Sequence, residues 1–226
     1  MKKLYLYFLK YYGLFRDRSE DKTVLKFLKN HDSDNVSYLE IGSGLGRFVR
    51  LVSNSFSYNL TALEINPELA ARTEKMGIKT ETTNFLENKF SDNQFDVVHC
   101  SHVIEHVAYP DIIHFLDEML RITKPKGYVI IRSPLMTADF FTCIDHIRPY
   151  PPKAILDYFS NPQQQVTGKY SVEAKKIKLR YAPITICPYS YSPIVRAINS
   201  FFKLLWCWFR IHGKADGYVM ILQKNN

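Results

Sequence analysis

The sequence predicts a doubly wound α/β fold. Three observations carry this. Short runs rich in Val, Ile and Leu recur through residues 36–134, a segment of helical period follows most of them, and the first ends in a glycine-rich turn, LEIGSGLG at 39–46. Strands that are apolar on both faces and alternate with helices belong to a parallel sheet covered on both sides. A glycine turn between the first strand and the first helix marks the edge where such sheets bind ligands.

The elements follow in order. Residues 1–35 form an N-terminal helical region, with the basic, aromatic MKKLYLYFLKYYGLF ahead of the amphipathic TVLKFLKNH. The first strand is VSYLEI (36–41), and the helix RFVRLVSNS opens after the glycines. NLTALEI (59–65) is the second strand, and Asn66-Pro67 caps the helix ELAARTEKMG. IKTETT (78–83) is a weaker third strand and FDVVHCS (95–101) a fourth. DIIHFLDEMLRIT (111–123) has apolar residues at helical spacing and is closed by Pro125 and Gly127, after which YVIIRSP (128–134) is the fifth strand.

Beyond Pro134 the rhythm changes. PPKAILDYF (151–159) reads as a helix entered through proline, KKIKLRYAPITI as a strand, and GYVMILQK (217–224) as a terminal strand. Between those two lies a helix over 193–212, with Ser192 as N-cap, Pro193 in its first turn and Gly213 as stop. The expected organisation is one domain over 1–226: a ligand-binding core (36–134), a cap region (135–216) containing helix 193–212, and a last strand (217–226).

Composition narrows the setting. The chain has 226 residues, 46% hydrophobic, with a formal net charge of +8, so anionic partners are plausible and wholesale disorder is excluded. Cys100, Cys143, Cys187 and Cys207 form no C-x-x-C pair, which argues against a zinc knuckle or disulfide framework and for a reducing, cytoplasmic setting. The N-terminus is interrupted by Lys10 and followed by no small-residue cleavage site, and no uncharged apolar run is long enough to span a membrane.

The chemistry concentrates at strand ends. Gly42, Gly44 and Gly46 give G-x-G-x-G, which allows a sharp turn and close approach of backbone to a ligand. Glu64 closes the next strand about twenty residues later, where a carboxylate can accept from ribose hydroxyls. Glu40, just before the turn, suits a cationic ligand better than a diphosphate. Residues 102–106, HVIEH, match an inverted zinc-protease pattern through His102, Glu105 and His106. Yet the segment follows a strand directly and precedes Pro110-Asp111, so it reads as a loop at the sheet's carboxyl edge, and no metal is expected.

LEIGSGLGRF, ALEINP, FSDNQFDVVHCSHVIEHV and LRITKPKGYVIIRSP, in that order, resemble the class I S-adenosylmethionine-dependent methyltransferases, in particular the group related to ubiquinone and menaquinone methylases and glycan-modifying enzymes. The resemblance covers about residues 36–134. It implies a Rossmann-like seven-stranded sheet with an antiparallel C-terminal strand and a helical insert before it, and S-adenosyl-L-methionine as cofactor. Glu40, Gly42, Ser43, Gly44 and Gly46 would surround the methionine part, Glu64 would hold the ribose and Ile65 would lie against adenine. Asn84-Phe85 stands where the family usually has an Asp contacting the adenine amino group. Ser101 and His102 would touch the cofactor, and His106 would face the acceptor. DHIRPYPPKAILDYF resembles the pattern that relatives carry after strand five, which makes His146, with Asp145 beside it, a second candidate base.

The expected activity is O-methylation of a small-molecule or lipid-linked acceptor, such as a surface-glycan sugar or a quinone precursor. The alternatives are a non-catalytic cofactor-binding subunit and, more remotely, a zinc hydrolase. No base-flipping tetrapeptide follows strand four, so nucleic acid is not an expected partner. Helix 193–212 carries Arg196, Lys203 and Arg210 seven residues apart on an otherwise apolar surface. It is a candidate for contact with a membrane surface at the inner face, for homodimerisation, or for packing on its own domain.

Overall fold

The apolar run after Asn35 becomes β1 (Ser37–Ile41), whose last four residues are buried, as a central parallel strand requires. The structure, a computed structural model, describes residues 19–226 apart from 138, 139, 162, 164, 165, 188, 189, 210 and 226, and apart from the side chain of Cys207. The N-terminal stretch 1–18 therefore lies outside the described residues.

Residues 19–30 form α1, which buries Val24, Phe27 and Leu28 at helical spacing. Then come α2 (Arg47–Ser55), β2 (Asn59–Leu63), α3 (Pro67–Glu74), β3 (Lys79–Glu81), β4 (Phe95–Ser101), α4 (Asp111–Ile122) and β5 (Thr123–Pro134). The cap region adds α5 (Pro152–Ser160), β6 (Val172–Pro183), α6 (Pro193–Phe209) and β7 (His212–Lys224). Local chemistry explains several starts. The Asn66 Oδ1 accepts from the N–H groups of Glu68 and Leu69 with Pro67 in the first turn of α3, and Pro152 opens α5.

One seven-stranded sheet runs in the order β3-β2-β1-β4-β5-β7-β6. The first five strands are parallel, and β7 is antiparallel to both β5 and β6. Sequence order reverses between β1 and β4, the place where ligands bind beyond the carboxyl ends of strands. One face of the sheet packs on α4 and α5 through Phe115, Met119, Ile155 and Tyr158. The other packs on α1 and α2 through Leu28, Phe48 and Val52.

Several boundaries differ from the sequence reading. The third strand shrinks to three residues. β5 begins at Thr123, with a register break between Phe95–Thr123 and Val97–Tyr128 that absorbs Pro125 and Gly127. The helix expected over 193–212 ends at Phe209, and β7 starts at His212, not at 217, because residues 212–216 extend the ladder with β6. Of the basic stripe, Arg196 is exposed and Lys203 half-buried, whereas Arg210 lies outside the described residues.

A buried charge cluster fastens α1 to the sheet. Glu20, almost fully buried, pairs with Arg132 of β5 at 3.0 Å and Arg180 of β6 at 2.8 Å. Arg180 also donates to Asp216 of β7 at 2.9 Å, and Asp21 accepts from Arg47 and Arg132. Burial alone would raise the Glu20 carboxyl, but the His102 hydrogen bond and the Arg180 and Arg132 charges outweigh it and hold it at about 2 against an ordinary 4.5. Because the folded value is the lower one, the stability it contributes is complete above pH 4.5 and is lost as pH falls through about 2. Glu20→Gln removes one of the two carboxylates held by each of two buried guanidiniums and should cost about 3–5 kcal/mol at neutral pH. It should also flatten the acid limb of stability over that window. Urea denaturation as a function of pH measures both, and an unchanged acid limb contradicts the assignment.

Candidate active site

The turn after β1 is built on three left-handed glycines: φ is 69° at Gly42, 53° at Gly44 and 70° at Gly46. A Cβ at Gly42 would collide with the side chain of Val103, so that glycine lets the β1 turn press against the loop after β4. A Cβ at Gly44 would meet nothing within 4 Å, so the backbone there borders open space. The turn is latched from β2: Glu64 Oε2 accepts from the Gly44 N–H at 2.7 Å and Oε1 from the Asn66 N–H at 3.0 Å. Leu45 and Ile65, both about two-thirds exposed, flank it. The Ser43 hydroxyl is buried with no hydrogen-bond partner among the described residues.

Three residues assigned to ligand contact by the sequence are placed in other company. Glu40 is buried, and its Oε2 lies 3.1 Å from both the Tyr38 hydroxyl and His99 Nδ1, which are 2.8 Å from each other. Burial, with Glu40 beside it, pushes the Tyr38 phenol well above its usual range. Phe85 turns its ring into the core against Phe115, at a centroid distance of 4.7 Å. Asn84 Oδ1 caps the short turn Phe85–Glu87 by accepting from Leu86 N–H at 3.1 Å. A carbonyl oxygen has two lone pairs, so one acceptor position remains at Asn84.

HVIEH folds as a loop and a 3₁₀ turn, Ile104–His106. Ser101, at the end of β4, is half-buried beside Arg132 in the ladder. His102 has φ 56°, and its ring lies between two acids, with Nδ1 3.2 Å from Glu105 and Nε2 3.7 Å from Glu20. Burial would lower its titration, but those two carboxylates together raise it. Glu105 has no exposed surface. Its other carboxylate oxygen accepts from Ser133 Oγ, and its backbone carbonyl accepts from the N–H groups of Ile147 and Arg148.

The loops after β4 and β5 are thereby tied, and His106 meets His146. Their ring centroids are 5.0 Å apart and the ring planes are inclined at 61°. His106 Nδ1 lies 3.0 Å from the Asp145 backbone carbonyl, and His146 Nδ1 lies 2.7 Å from the Phe140 carbonyl. Donation to a carbonyl fixes each tautomer and leaves Nε2 of each ring as the acceptor. Asp145 is mostly exposed, and a hydrogen bond from the Cys143 thiol holds its carboxyl below the usual range. The zinc-protease trio does not gather. Among the described residues, the groups whose ligand atoms lie within 4.8 Å of one another are Glu105–His106–His146 and Cys143–Asp145–His146, without His102.

Residues 39–131 match the family described as a methyltransferase domain. A ubiquinone biosynthesis O-methyltransferase from Rickettsia bellii is 28% identical over 173 residues, 69% of this chain and 70% of that protein. Both matches support the class I S-adenosylmethionine-dependent methyltransferases as the family that residues 39–131 resemble. A 2-methyl-6-phytyl-1,4-hydroquinone methyltransferase from Synechocystis is 26% identical over 132 residues, 56% of this chain and only 41% of that protein. A solved S-adenosylmethionine-dependent methyltransferase from Archaeoglobus fulgidus shares the fold, with a TM-score of 0.59 and 22% identity, covering 95% of this chain and 100% of that one.

The turn fits S-adenosylmethionine, the cofactor that the methyltransferase-domain match implies. Open space over Gly44, the unpartnered Ser43 hydroxyl, the Glu64 carboxylate and the exposed Leu45 and Ile65 supply close backbone approach, polar partners and apolar walls on one side of the sheet edge. The sequence reading missed Glu20, Cys143 and Ser133. Cys143 stands two residues from Asp145, but nothing local marked it as that carboxylate's donor.

Gly44→Ala meets no steric obstacle, so its folding cost should be only that of a left-handed residue, about 1–2 kcal/mol, while S-adenosylhomocysteine binding falls at least about tenfold. Gly42→Ala should instead lower thermal stability markedly, because Val103 must move. Calorimetric titration beside thermal melts separates the two, and equal effects on both readouts at both positions contradict this assignment.

Proposed function

We propose that this methyltransferase O-methylates a small-molecule or lipid-linked acceptor of the quinone-precursor or surface-glycan class, with residues 36–134 holding the cofactor and 135–216 the acceptor. The observation that carries it is the His106–His146 pair, held at the carboxyl edge by Glu105 and by two backbone carbonyls. The names of the Rickettsia and Synechocystis relatives, an O-methyltransferase of ubiquinone biosynthesis and a hydroquinone methyltransferase, support a phenolic acceptor.

S-adenosylmethionine supplies an already activated methyl group, so the protein's work is alignment, exclusion of water and removal of the acceptor proton. Imidazole is the side chain suited to taking that proton near neutrality. With Nδ1 of each ring committed to a backbone carbonyl, Nε2 of His106 or His146 receives the hydroxyl proton as the oxygen–methyl bond forms. Asp145, beside His106 Nδ1 at 3.4 Å, stabilises the resulting imidazolium. Met136, Phe141, Ile144 and Ile147 are exposed around this pair, an apolar rim suited to an acceptor with a hydrocarbon body.

His146→Ala and His106→Ala should each lower kcat by about 10²–10⁴-fold, with S-adenosylhomocysteine affinity within about threefold of wild type. Turnover with a hydroquinone acceptor, read beside cofactor titration, tests this. Unchanged turnover in both variants refutes the base assignment. Intact cofactor binding with no turnover on phenolic or sugar acceptors favours a non-catalytic subunit.

A further inference from the structure

The β6–β7 hairpin carries α6 past the sheet's carboxyl edge. β5 stops at Pro134, opposite Gly217, but the β6–β7 ladder continues through Tyr181–Ala215 to Pro183–His212. α6, inserted between Pro183 and His212, thus overhangs the edge at which the cofactor turn and the two histidines lie. One side of α6 packs inward: Trp206 is buried, its indole N–H donating to His212 at 3.1 Å, and Asn199 bonds both backbone groups of Ile186.

The outward side is apolar. Ile194, Phe201 and Trp208 recur every seven residues, and are 71%, 57% and 77% exposed, with Phe209 beside them. Covering such side chains removes apolar surface from water, which favours a partner that covers them. The charge around them is one-signed. Between Glu173 and Asp216 the chain contains no Asp or Glu and eight Lys or Arg, of which Arg180 is buried against Glu20 and Asp216 and Lys175 pairs with Glu173. No helix among the described residues is long and apolar enough to cross a membrane, so the geometry is that of an element lying in an interface.

We infer that this overhanging edge docks on an anionic lipid surface, with Ile194, Phe201 and Trp208 in the acyl boundary and the basic lobe against the headgroups. Positive charge complements an anionic phospholipid surface. A second copy of the same lobe would bring like charges together. The exposed Met136, Phe141 and Ile144 stand on the same edge, so docking would point the acceptor mouth at the bilayer. The inference rests on the proposed lipid-linked acceptor only for its purpose, since the surface exists without it.

Flotation of the full chain with phosphatidylcholine vesicles, with and without phosphatidylglycerol, tests it in the absence of cofactor. The wild type should float with the anionic vesicles, at least about tenfold better than with neutral ones, and high salt should release it. Trp208→Glu and Phe201→Glu, at exposed positions, should each cut binding about tenfold or more while keeping S-adenosylhomocysteine affinity. Brominated lipid should quench tryptophan emission in the wild type and not in Trp208→Glu. No flotation with anionic vesicles overturns the inference, as does flotation unaffected by both substitutions. So does a dimer, seen by sedimentation velocity and broken by Trp208→Glu, in a protein that ignores vesicles. Loss of methyl transfer with flotation intact counts against the acceptor chemistry and not against docking.

Discussion

Glu105 is the constraint on which the site depends. It has no exposed surface, yet it holds four partners: His102 and Ser133 through its carboxylate, and Ile147 and Arg148 through its backbone carbonyl. A buried carboxylate is costly unless each oxygen is satisfied. Its partners come from the loop after β4, from the end of β5 and from the loop beyond β5. Satisfying Glu105 therefore brings these three segments together, and His106 reaches His146 as a consequence. The glutamate that made HVIEH look like a protease signature acts here as an internal anchor.

A second set of buried charges does for the far half of the sheet what Glu105 does for the loops. Glu20, Arg132, Arg180 and Asp216 join α1, β5, β6 and β7, so the antiparallel half cannot shift against α1 without stranding a charge. Glu20 also lies 3.7 Å from His102, and that couples the brace to the loop after β4. Fold and site thus share one electrostatic frame. The glycine turn joins it through Val103, which fills the space that a side chain at position 42 would need.

Periodicity made much of this legible. The strands that became β1, β2, β4 and β5, the cap at Asn66 and the glycine turn all depend on neighbours in sequence, and they form as the pattern implies. The elements that differed depend on distant contacts. Thr123–Gly127 reads as a helix end followed by breakers, but the Lys124–Asp96 ion pair and the Lys224 ammonium on the Thr123 carbonyl draw it into the sheet. The β7 start at His212 follows from pairing with Pro183, which no local pattern announces. Glu40 illustrates the same limit within the site. Its place before the glycines suggested a ligand contact, but its partner His99 lies 59 positions away and claims it from the core. The Glu20 contacts span 112 and 160 positions, beyond the reach of any motif.

The central claim is that the paired histidines and the glycine turn serve transfer of a methyl group to an acceptor oxygen. The most direct measurement supplies the purified protein with methyl-labelled S-adenosylmethionine and a quinone-precursor or membrane-lipid extract, then identifies the bond that carries the label. Label is expected in a methyl ether of an organic-phase product, abolished when His106 and His146 are both replaced by alanine. Label on carbon or nitrogen, or full labelling by the double variant, would contradict it.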